Sequence, residues 1–292
     1  MDSLLNNEYF GFIVPAAVYI TAGIILFLIG RIAFRFFHPK IKVIHEVVEV
    51  DNVAFSISYV GYYIGILIVI GSSIIGPSKG LKLDFVEILA YGLLGIVLLN
   101  ISAYINDKIV FRKFSVKKEI IEDKNLGTGV IELSNFIGSG LIIFGAIIGD
   151  QGSMESGLVS AIMFWAFGQL AFLLVSFIYN KVTPFDIHHE IERDNFAAGI
   201  GYAGAIIAIA NLFRLALSID YDGFVVTVIE VTIIILVGII LIPISRVVVD
   251  KILFPGYNLT DEIVHQEKPN TGAALVEAFA YIGSSVLISW CL

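Results

Sequence analysis

The sequence has little charge and no excess of basic residues. Only 15% of its 292 residues are charged, whereas soluble domains carry about a quarter. In contrast, 58% of the residues are hydrophobic and the mean hydropathy is +0.91. The net charge of −8 offers no basic surplus to a nucleic acid, and no nucleic-acid-binding motif is present. The composition therefore predicts a membrane protein that does not bind nucleic acid.

Cysteine and the usual signatures of enzymes are also scarce. Cys291 is the single cysteine, so the sequence excludes an internal disulfide and a cysteine-rich metal site. No P-loop, GxSxG, HExxH or dinucleotide-binding fingerprint occurs. We therefore predict no enzymatic activity, no cofactor and no metal. Four histidines share no recurring ligand spacing, and we interpret them as solvated loop residues rather than a metal or pH-sensing cluster: His45, His188, His189 and His265.

Long hydrophobic runs are the dominant feature of the sequence. A bilayer core about 30 Å thick requires roughly 20 apolar residues in a helix. Eight such runs occur, at residues 11–36, 52–76, 84–106, 126–149, 157–180, 195–218, 223–248 and 270–291. The opening stretch "MDSLLNNEYF" lacks the basic start of a cleavable signal peptide, so we expect the first run to be retained. The pattern predicts an all-α polytopic membrane protein with eight transmembrane helices and no separate soluble domain.

The basic residues are concentrated in the loops after the first, third, fifth and seventh runs. These loops hold all but three of the 18 lysines and arginines, and the opposite side keeps only Lys79, Lys82 and Arg214. The most basic loop, "FRKFSVKKEIIEDK", includes Lys113. Because cytoplasmic loops collect basic residues, we predict that these loops are cytoplasmic and that both termini face outward.

The sequence repeats itself at a constant offset of 143 residues. The segment "IHEVVEVDNVAFSISYVG" (44–61) matches "IHHEIERDNFAAGIGYAG" (187–204). At the same offset, "DKIVF" (107–111) matches "DKILF" (250–254). Internal similarity of this kind indicates that a structural unit has been duplicated.

A further pair of segments extends the duplication. After a two-residue insertion, "EDKNLGTGVIELSNFIGS" (122–139) matches "EKPNTGAALVEAFAYIGS" (267–284). We predict two homologous four-helix units, residues 1–150 and 151–292, and each unit contains two weaker copies of one helical hairpin. An even number of spans separates successive copies, so all four insert in the same direction. The expected architecture is a set of parallel repeats about a pseudo-two-fold axis along the membrane normal.

The repeated motifs resemble the bacterial inner-membrane family called domain of unknown function 350. The pattern is a glutamate followed three residues later by an asparagine at the entrance of a span rich in small residues, as at Glu122 and Asn125. Small YjfL-like members of that family look like half of this chain, and the resemblance covers the whole chain as tandem copies. It implies an inner-membrane location and, as the family name states, no established activity. No catalytic residue is therefore implied.

The even-numbered spans carry small residues at intervals of four. Examples are Gly61 with Gly65 and Ser134 with Gly138. In lipid, such residues allow helices to approach closely. The odd-numbered spans are bulkier, so we expect an inner ring of even-numbered helices with odd-numbered helices facing the lipid.

An asparagine opens each even-numbered span on its basic side, at Asn52, Asn125, Asn195 and Asn270. Asparagine caps a helix by accepting hydrogen bonds from free backbone N–H groups, and acidic neighbours suit the positive end of the helix dipole. Helix capping is the favoured interpretation. The alternative is an acidic ring that gathers cations at a cytoplasmic mouth. The acidic neighbours are Glu49, Asp51, Glu122, Asp123, Glu192, Asp194 and Glu267.

Two glutamates lie deep within even-numbered spans. Glu132 and Glu277 each follow the capping asparagine by seven residues, about 10 Å into the helix at 1.5 Å per residue. Tyr59 and Tyr202 occupy this position in the other two copies. A carboxylate at such depth normally faces the interior of the bundle or water. These four residues predict one layer in which tyrosine and glutamate alternate.

Other polar residues accompany the deep glutamates. Asn135 and Tyr281 follow them by three and four residues on the same helix faces, and both are plausible hydrogen-bond partners. A second acidic pair, Glu87 and Glu230, lies nearer the outer side on odd-numbered spans, with Glu230 about eight residues inside from Asp222. These groups complete the candidate polar sites within the spans.

Two interpretations of the deep carboxylates remain open. In one, the protein is a channel or transporter that passes a small cation or protons, with Glu132 and Glu277 at its centre and Glu87 and Glu230 toward the outer entrance. In the other, the carboxyls are inter-helical hydrogen-bonding groups of a non-transporting scaffold. Such a scaffold would bind cytoplasmic protein partners or anionic lipid through its charged loops. Assembly into homo-oligomers is also open, because half-length relatives would have to assemble from separate chains.

Overall fold

The structure, a computed structural model, describes residues 8–76, 78–112, 115–149, 153–218 and 223–292. Within these ranges every regular element is helical. Three features singled out above lie outside the described residues: Lys113, Asp222 and the expected boundary between the two units at Asp150.

The described residues form ten α-helices, eight long and two short. The helices are α1 (Glu8–Phe37), α2 (Val53–Ile75), α3 (Leu81–Ile105), α4 (Val116–Ile121), α5 (Leu126–Gly149), α6 (Met154–Val182), α7 (Ile187–Glu192), α8 (Phe196–Leu217), α9 (Phe224–Val248) and α10 (Thr271–Cys291). Single π-helical turns occupy His45–Glu49, Asn106–Val110, Val249–Leu253 and Asp261–His265. The short helices and the first and last of these turns each precede one of the helices that begin at an asparagine.

The eight long helices are long and apolar enough to cross a membrane, so the predicted all-α fold with eight spans in two homologous halves is confirmed. The third and seventh spans are longer than expected. Each continues through a π-helical turn, to Val110 and to Leu253. The charged residues of these turns, such as Asp107 and Lys108, look like loop residues in the sequence although the backbone is still helical.

The long helices form two rows. Helices α2, α5, α8 and α10, which we call the capped row, pack side by side in that order. Helices α1, α3, α6 and α9 form the outer row. Helix α3 lies between α2 and α5, α6 lies between α5 and α8, and α9 lies between α8 and α10. The same hairpin contact is therefore repeated along the molecule.

The capped row is open at both ends. Within the described part of the chain, α2 and α10 do not pack closely against each other. Phe279 of α10 is 71% exposed and Val60 of α2 is 52% exposed, whereas α5 and α8 in the middle are mostly buried. The expected inner ring of even-numbered helices is therefore wrong. Each helix contacts the next along a line, and the line does not close.

Small residues determine how closely the capped row packs. A Cβ atom on Gly61 of α2 would lie 2.5 Å from the Cα atom of Leu133 on α5. A Cβ atom on Gly204 of α8 would likewise lie 2.5 Å from the Cα atom of Ala278 on α10. Only glycine permits this approach of two backbones, so the small residues noted in the sequence mark the contacts between successive repeats.

Candidate functional site

Each helix of the capped row begins at an asparagine that caps it. The side-chain Oδ1 accepts a hydrogen bond from the backbone N–H three residues further on, at 3.0 to 3.1 Å. This bond satisfies one of the free N–H groups at the start of the helix. The donor–acceptor pairs are Phe55 with Asn52, Thr128 with Asn125, Ala198 with Asn195 and Ala273 with Asn270.

The amide groups of these asparagines connect each repeat to the next. Asn125, for example, donates from Nδ2 to the Glu119 carboxylate of its own repeat at 3.0 Å and to the Ile191 carbonyl of the following repeat at 2.6 Å. We call this arrangement the asparagine clasp. The equivalent carbonyl bonds, both 2.9 Å long, are Asn52 to Ile120 and Asn195 to Ile263. Because the capped row is open, the clasps follow a line and do not surround a mouth.

The glutamates of the clasps are not the acidic neighbours that the sequence singled out. They lie earlier in each connection, in the short helix or π-helical turn, at Glu46, Glu119, Glu190 and Glu262. The residue before the cap has a positive φ in three repeats, at Asp51, Lys124 and Asp194. The fourth repeat has Pro269 at this place, which cannot adopt a positive φ, and its connection is longer.

Replacing Asn195 with alanine tests the clasp. The substitution removes the cap and leaves the Ile263 carbonyl without its donor, so we expect a loss of about 1 to 2 kcal/mol in the free energy of unfolding. Asn270→Ala is the matched control because Asn270 caps a helix and, among the described residues of the same chain, donates only to Glu262 of its own repeat. Unfolding in mixed detergent micelles measures both losses. Equal losses would show that the inter-repeat bond contributes nothing.

Glu277 is fully buried and paired with a cation. Its Oε1 accepts hydrogen bonds from Nη1 of Arg246 and from the Tyr281 hydroxyl, the latter at 2.8 Å. Arg246 is itself buried and donates from Nη2 to the Thr260 hydroxyl at 2.9 Å. The hydrogen bond expected from Tyr281 is thus present. The opposite charges of Arg246 and Glu277 compensate each other at a depth where either one alone is costly.

Arg246 and Thr260 were missed in the sequence. Arg246 looks like a basic residue of the loop after the seventh span, whereas the structure places it within α9 and buries it. One signal was available: at the repeat offset, Ala103 occupies the place of Arg246 in the first unit. A charge that is present in only one of two homologous copies suggests that the two copies differ in their interior.

The surroundings of Glu277 are closely packed. Its second oxygen, Oε2, has no hydrogen-bond partner among the described residues. A Cβ atom on Gly201 would lie 2.5 Å from this oxygen and 2.8 Å from the Tyr179 hydroxyl, so glycine leaves the room that both groups occupy. The ring of Tyr179 lies between those of Tyr202 and Tyr281, at centroid distances of 5.5 and 6.5 Å. The second-half site is therefore filled by its own side chains.

Glu132 is almost as deeply buried but has only a neutral partner. It is 4% exposed, and its Oε1 accepts a hydrogen bond from Nδ2 of Asn106 at 2.9 Å. At the repeat offset, Asn106 corresponds to Val249, and Ala103 corresponds to Arg246. The group that donates to the glutamate is thus a guanidinium in the second half and an amide in the first half. The two donors lie three residues apart in the aligned helices. Within the described ranges no cationic side chain forms an ion pair with Glu132.

A cavity of about 310 Å³ adjoins Glu132. Ala103 forms part of its wall, and its rim includes the exposed Tyr104. Most of the lining is apolar, and the other polar or charged lining residues are Ser58, His38, Asn100, Asp107 and Lys117. Burial, together with the charge of Lys117, lowers the pKa of His38 to about 4, so its ring is neutral at pH 7. Two lining atoms, Nε2 of His38 and Oδ1 of Asn100, lack a hydrogen-bond partner among the described residues.

The second acidic pair lies away from the deep glutamates. Glu87 is partly buried near the opposite end of the bundle, where its Oε1 accepts a hydrogen bond from Nζ of Lys79 at 2.8 Å. Glu230 is partly buried on α9, and the described residues provide it with no hydrogen bond or ion pair. The structure therefore does not bring these two carboxylates together with Glu132 or Glu277.

Asn135, the predicted partner of Glu132, and the tyrosines at the equivalent positions have other surroundings. Asn135 does not bond to Glu132, and its Nδ2 has no partner within the described residues, although it adjoins a cavity of about 10 Å³ beside Asn106 and Tyr202. The Tyr59 hydroxyl pairs with that of Tyr63 at 3.0 Å. The ring of Tyr59 packs against Phe55, and the ring of Tyr202 packs against Phe111 and Tyr179.

The loop histidines have separate partners. His45 pairs with Glu49, and His265 pairs with Asp261, both at 2.7 Å in exposed positions. His188 contacts the Val110 carbonyl at 3.2 Å. In the part of the chain that the structure describes, no group of three or more histidine, cysteine, aspartate or glutamate side chains could hold a metal ion.

Known proteins resemble the chain over nearly its whole length. The family model described as Domain of Unknown Function (DUF350) matches residues 7–147 and again residues 153–292. A UPF0719 transmembrane protein of Aquifex aeolicus (strain VF5) is 23% identical over 252 residues, which cover 86% of this chain and 90% of the relative. No solved structure is significantly similar to the chain. The two matched segments agree with the duplication seen in the sequence.

Proposed function

The chain belongs to the DUF350 family of membrane proteins, and from the contrast between its two halves we propose that it binds a small cation at Glu132. The proposed ligand is monovalent and carries N–H donors, as an ammonium or guanidinium group does. Glu277 has a different task, because its carboxylate is already paired with Arg246 and connects two helices of the second half.

The observation that carries this proposal is that the first half has no arginine at the position equivalent to Arg246. In the second half, the Arg246 guanidinium fills the space beside the carboxylate and supplies its counter-charge. The first half has Ala103 at that place, and the cavity of about 310 Å³ occupies the space beside Glu132. A cation in this cavity would restore the pairing that the second half makes within the chain. Attraction between opposite charges is strong in such a poorly solvated environment.

The cavity wall suits a cation with N–H donors. Glu132 and Asn100 offer acceptor oxygens, and the Asn100 Oδ1 atom has no other partner among the described residues. The rings of Phe34 and Phe136 line the apolar part, and aromatic faces attract cations. His38 is neutral at pH 7 and does not repel a cation. Lys117 also lines the cavity, and the carboxylates of Asp107 and Glu132 in the same lining offset its charge.

The proposal extends to passage of this cation, or of protons, through the bundle. In that mechanism Glu132 is the binding site for the cation or proton. Glu277 is a structural residue and does not form a second binding site. We place the protein in a bacterial inner membrane with its basic loops in the cytoplasm, following the distribution of lysine and arginine. The cavity then opens on the cytoplasmic side.

One observation favours the alternative function, a non-transporting scaffold. The Arg246–Glu277 pair with Tyr281 and Thr260 holds three segments of the second half together. In the first half, Asn106 is the one hydrogen-bond partner of Glu132 among the described residues, and the cavity beside it is open. This observation therefore supports the alternative for the second half alone.

Binding is tested first, by thermal unfolding of the protein in lipid nanodiscs with millimolar methylammonium or guanidinium chloride. A ligand at 100 times its dissociation constant stabilises the folded state by about 2.7 kcal/mol. We expect stabilisation of the unmodified protein and none for Glu132→Gln or for Ala103→Arg, which fills the cavity as Arg246 fills the second half. Glu87→Gln is the matched control and should retain the response. Sodium chloride at equal ionic strength gives the baseline.

Passage is tested separately, with the same variants in proteoliposomes. Gradients of potassium, sodium, protons and methylammonium are applied in turn, and we expect Glu132→Gln to lower the flux at least tenfold. Binding without flux would limit the function to recognition. If the unmodified protein shows neither binding nor flux, the cation proposal fails.

A further inference from the structure

Two faces of the repeated helix contact are left uncovered, one at each end of the capped row. In each contact between neighbouring helices of the capped row, one face of the earlier helix packs against one face of the later helix. We call the first the leading face and the second the trailing face. At α2–α5 the leading residue Gly61, nine positions after its cap, meets Leu133, eight positions after its cap. At α8–α10 the same positions are Gly204 and Ala278. The contacts thus share one register, which defines both faces for all four helices.

Among the described helices, none covers the leading face of α10. Its position nine is Phe279, which is 71% exposed, and on the same side lie Leu275 and Trp290, at 56% and 78% exposed. The trailing face of α2 is also exposed. Its position eight is Val60, and Leu67 lies two turns further along the same face at 55% exposed. Both end faces are apolar and of the length of a membrane span.

The asparagine clasp is incomplete at the same two ends. Three clasps donate to the carbonyl of the residue that follows the clasp glutamate in the next repeat, as Asn195 does to Ile263 after Glu262. The fourth asparagine, Asn270, is exposed and donates only to Glu262 among the described residues. The matching carbonyl of the first repeat is that of Val47, which follows Glu46 and receives no side-chain amide within the described ranges. The Asn270 amide and the Val47 carbonyl are thus a donor and an acceptor of the repeated bond that do not meet within the chain.

We propose that a second copy of this chain places its α2 against α10, so that the capped row continues from one molecule to the next. The contact joins the same two faces as the three contacts within the chain, with Asn270 donating to the Val47 carbonyl of the neighbour. All four repeats insert in one direction, so the two molecules share the same orientation in the membrane. Because the contact joins two different faces, it is head-to-tail, and each molecule can bind one neighbour at each end.

The contact between molecules is wider than those within the chain. Phe279 stands where the first and third repeats have glycine, and its ring covers Gly283, with ring atoms 3.6 to 3.9 Å from a Cβ atom placed there. Backbones therefore cannot approach as closely as at Gly204, and the ring of Phe279 fills the space against Val60 and Ser56 of the neighbour. A wider contact agrees with a separable interface between molecules.

Cysteine cross-linking in native membranes tests this contact. In a background of Cys291→Ser, the paired changes Val60→Cys and Phe279→Cys place one thiol on each end face. We expect mild oxidation to give dimers and larger products from the doubly substituted protein. Each single variant should remain monomeric, because a head-to-tail contact never brings two copies of the same face together. The matched control, Leu28→Cys with Leu236→Cys on exposed faces of the outer row, should give no products.

The outcomes separate head-to-tail assembly from its alternatives. Cross-linking of the single variant Phe279→Cys would show a symmetric contact and overturn the proposal. Monomers only, both after oxidation and in the native mass of the unmodified protein in nanodiscs, would show that lipid covers the end faces. Products from the outer-row control at the same yield would reduce the result to random collision, which also overturns it.

Discussion

Replacing Arg246 with methionine should lower the free energy of unfolding by about 3 to 5 kcal/mol, because it leaves a buried charge without its partner. Glu277 is fully buried, and its remaining protein donor is then the Tyr281 hydroxyl. The change also removes the bond from Arg246 to Thr260, which connects α9 to the segment before α10. Unfolding in mixed detergent micelles measures the loss.

A double substitution shows whether the loss comes from the unpaired charge. Replacing both partners of a buried ion pair by apolar residues of similar size is often neutral or stabilising. Arg246→Met combined with Glu277→Met should therefore recover most of the stability that Arg246→Met loses. Lys251→Met at an exposed position is the control and should change stability by no more than about 0.5 kcal/mol. A double variant as unstable as the single one would mean that packing, rather than charge, accounts for the loss.

Replacing Gly199 with leucine should destabilise the contact between the two halves of the bundle. A Cβ atom at Gly199 would lie 2.7 Å from the Cα atom and 2.8 Å from the carbonyl oxygen of Gly127, at the contact between α8 and α5. These are backbone atoms, so no side-chain rotation can relieve the overlap. Overpacking usually costs 1 to 3 kcal/mol, and we expect about 3 kcal/mol here. The same unfolding measurement checks it.

Two matched alanine substitutions should change the free energy of unfolding in opposite directions. Gly199→Ala introduces the overlap with Gly127 and should destabilise the protein. Gly23→Ala lies within α1, where a Cβ atom would meet nothing within 4 Å. It should stabilise the protein by about 0.4 to 1 kcal/mol, because alanine restricts the unfolded chain. Equal effects at the two positions would contradict the close contact between α5 and α8.

Most of the architecture was accessible from hydrophobic runs and internal similarity. The eight spans, their all-α character and their division into two homologous halves required only counting along the chain. The asparagine caps were also readable, since a cap depends on residues three positions apart. The spans were predicted too short where charged residues such as Asp107 and Lys108 continue a helix past its apolar part.

The candidate site was predicted only in part. The depth of Glu132 and Glu277 followed from their distance to the caps, and both glutamates are buried. Their partners did not follow, because hydrogen bonds between helices depend on which faces meet. Asn135 was the expected partner of Glu132, but the amide that reaches it is that of Asn106, on another helix. The sequence favours a loop position for Arg246, because a basic residue at the end of a span usually lies in the following loop.

Properties that depend on local order along the chain were thus written in the sequence: hydropathy, period, duplication and the caps at Asn52, Asn125, Asn195 and Asn270. Properties that depend on contacts between distant segments emerged only once the helices were packed. These are the open line of the capped row, the pairing of Arg246 with Glu277 and the cavity beside Glu132. The physical reason is that a repeated sequence specifies the same contact surface several times without specifying whether the resulting line of helices closes. Burial of a charge likewise depends on the partner that folding brings to it.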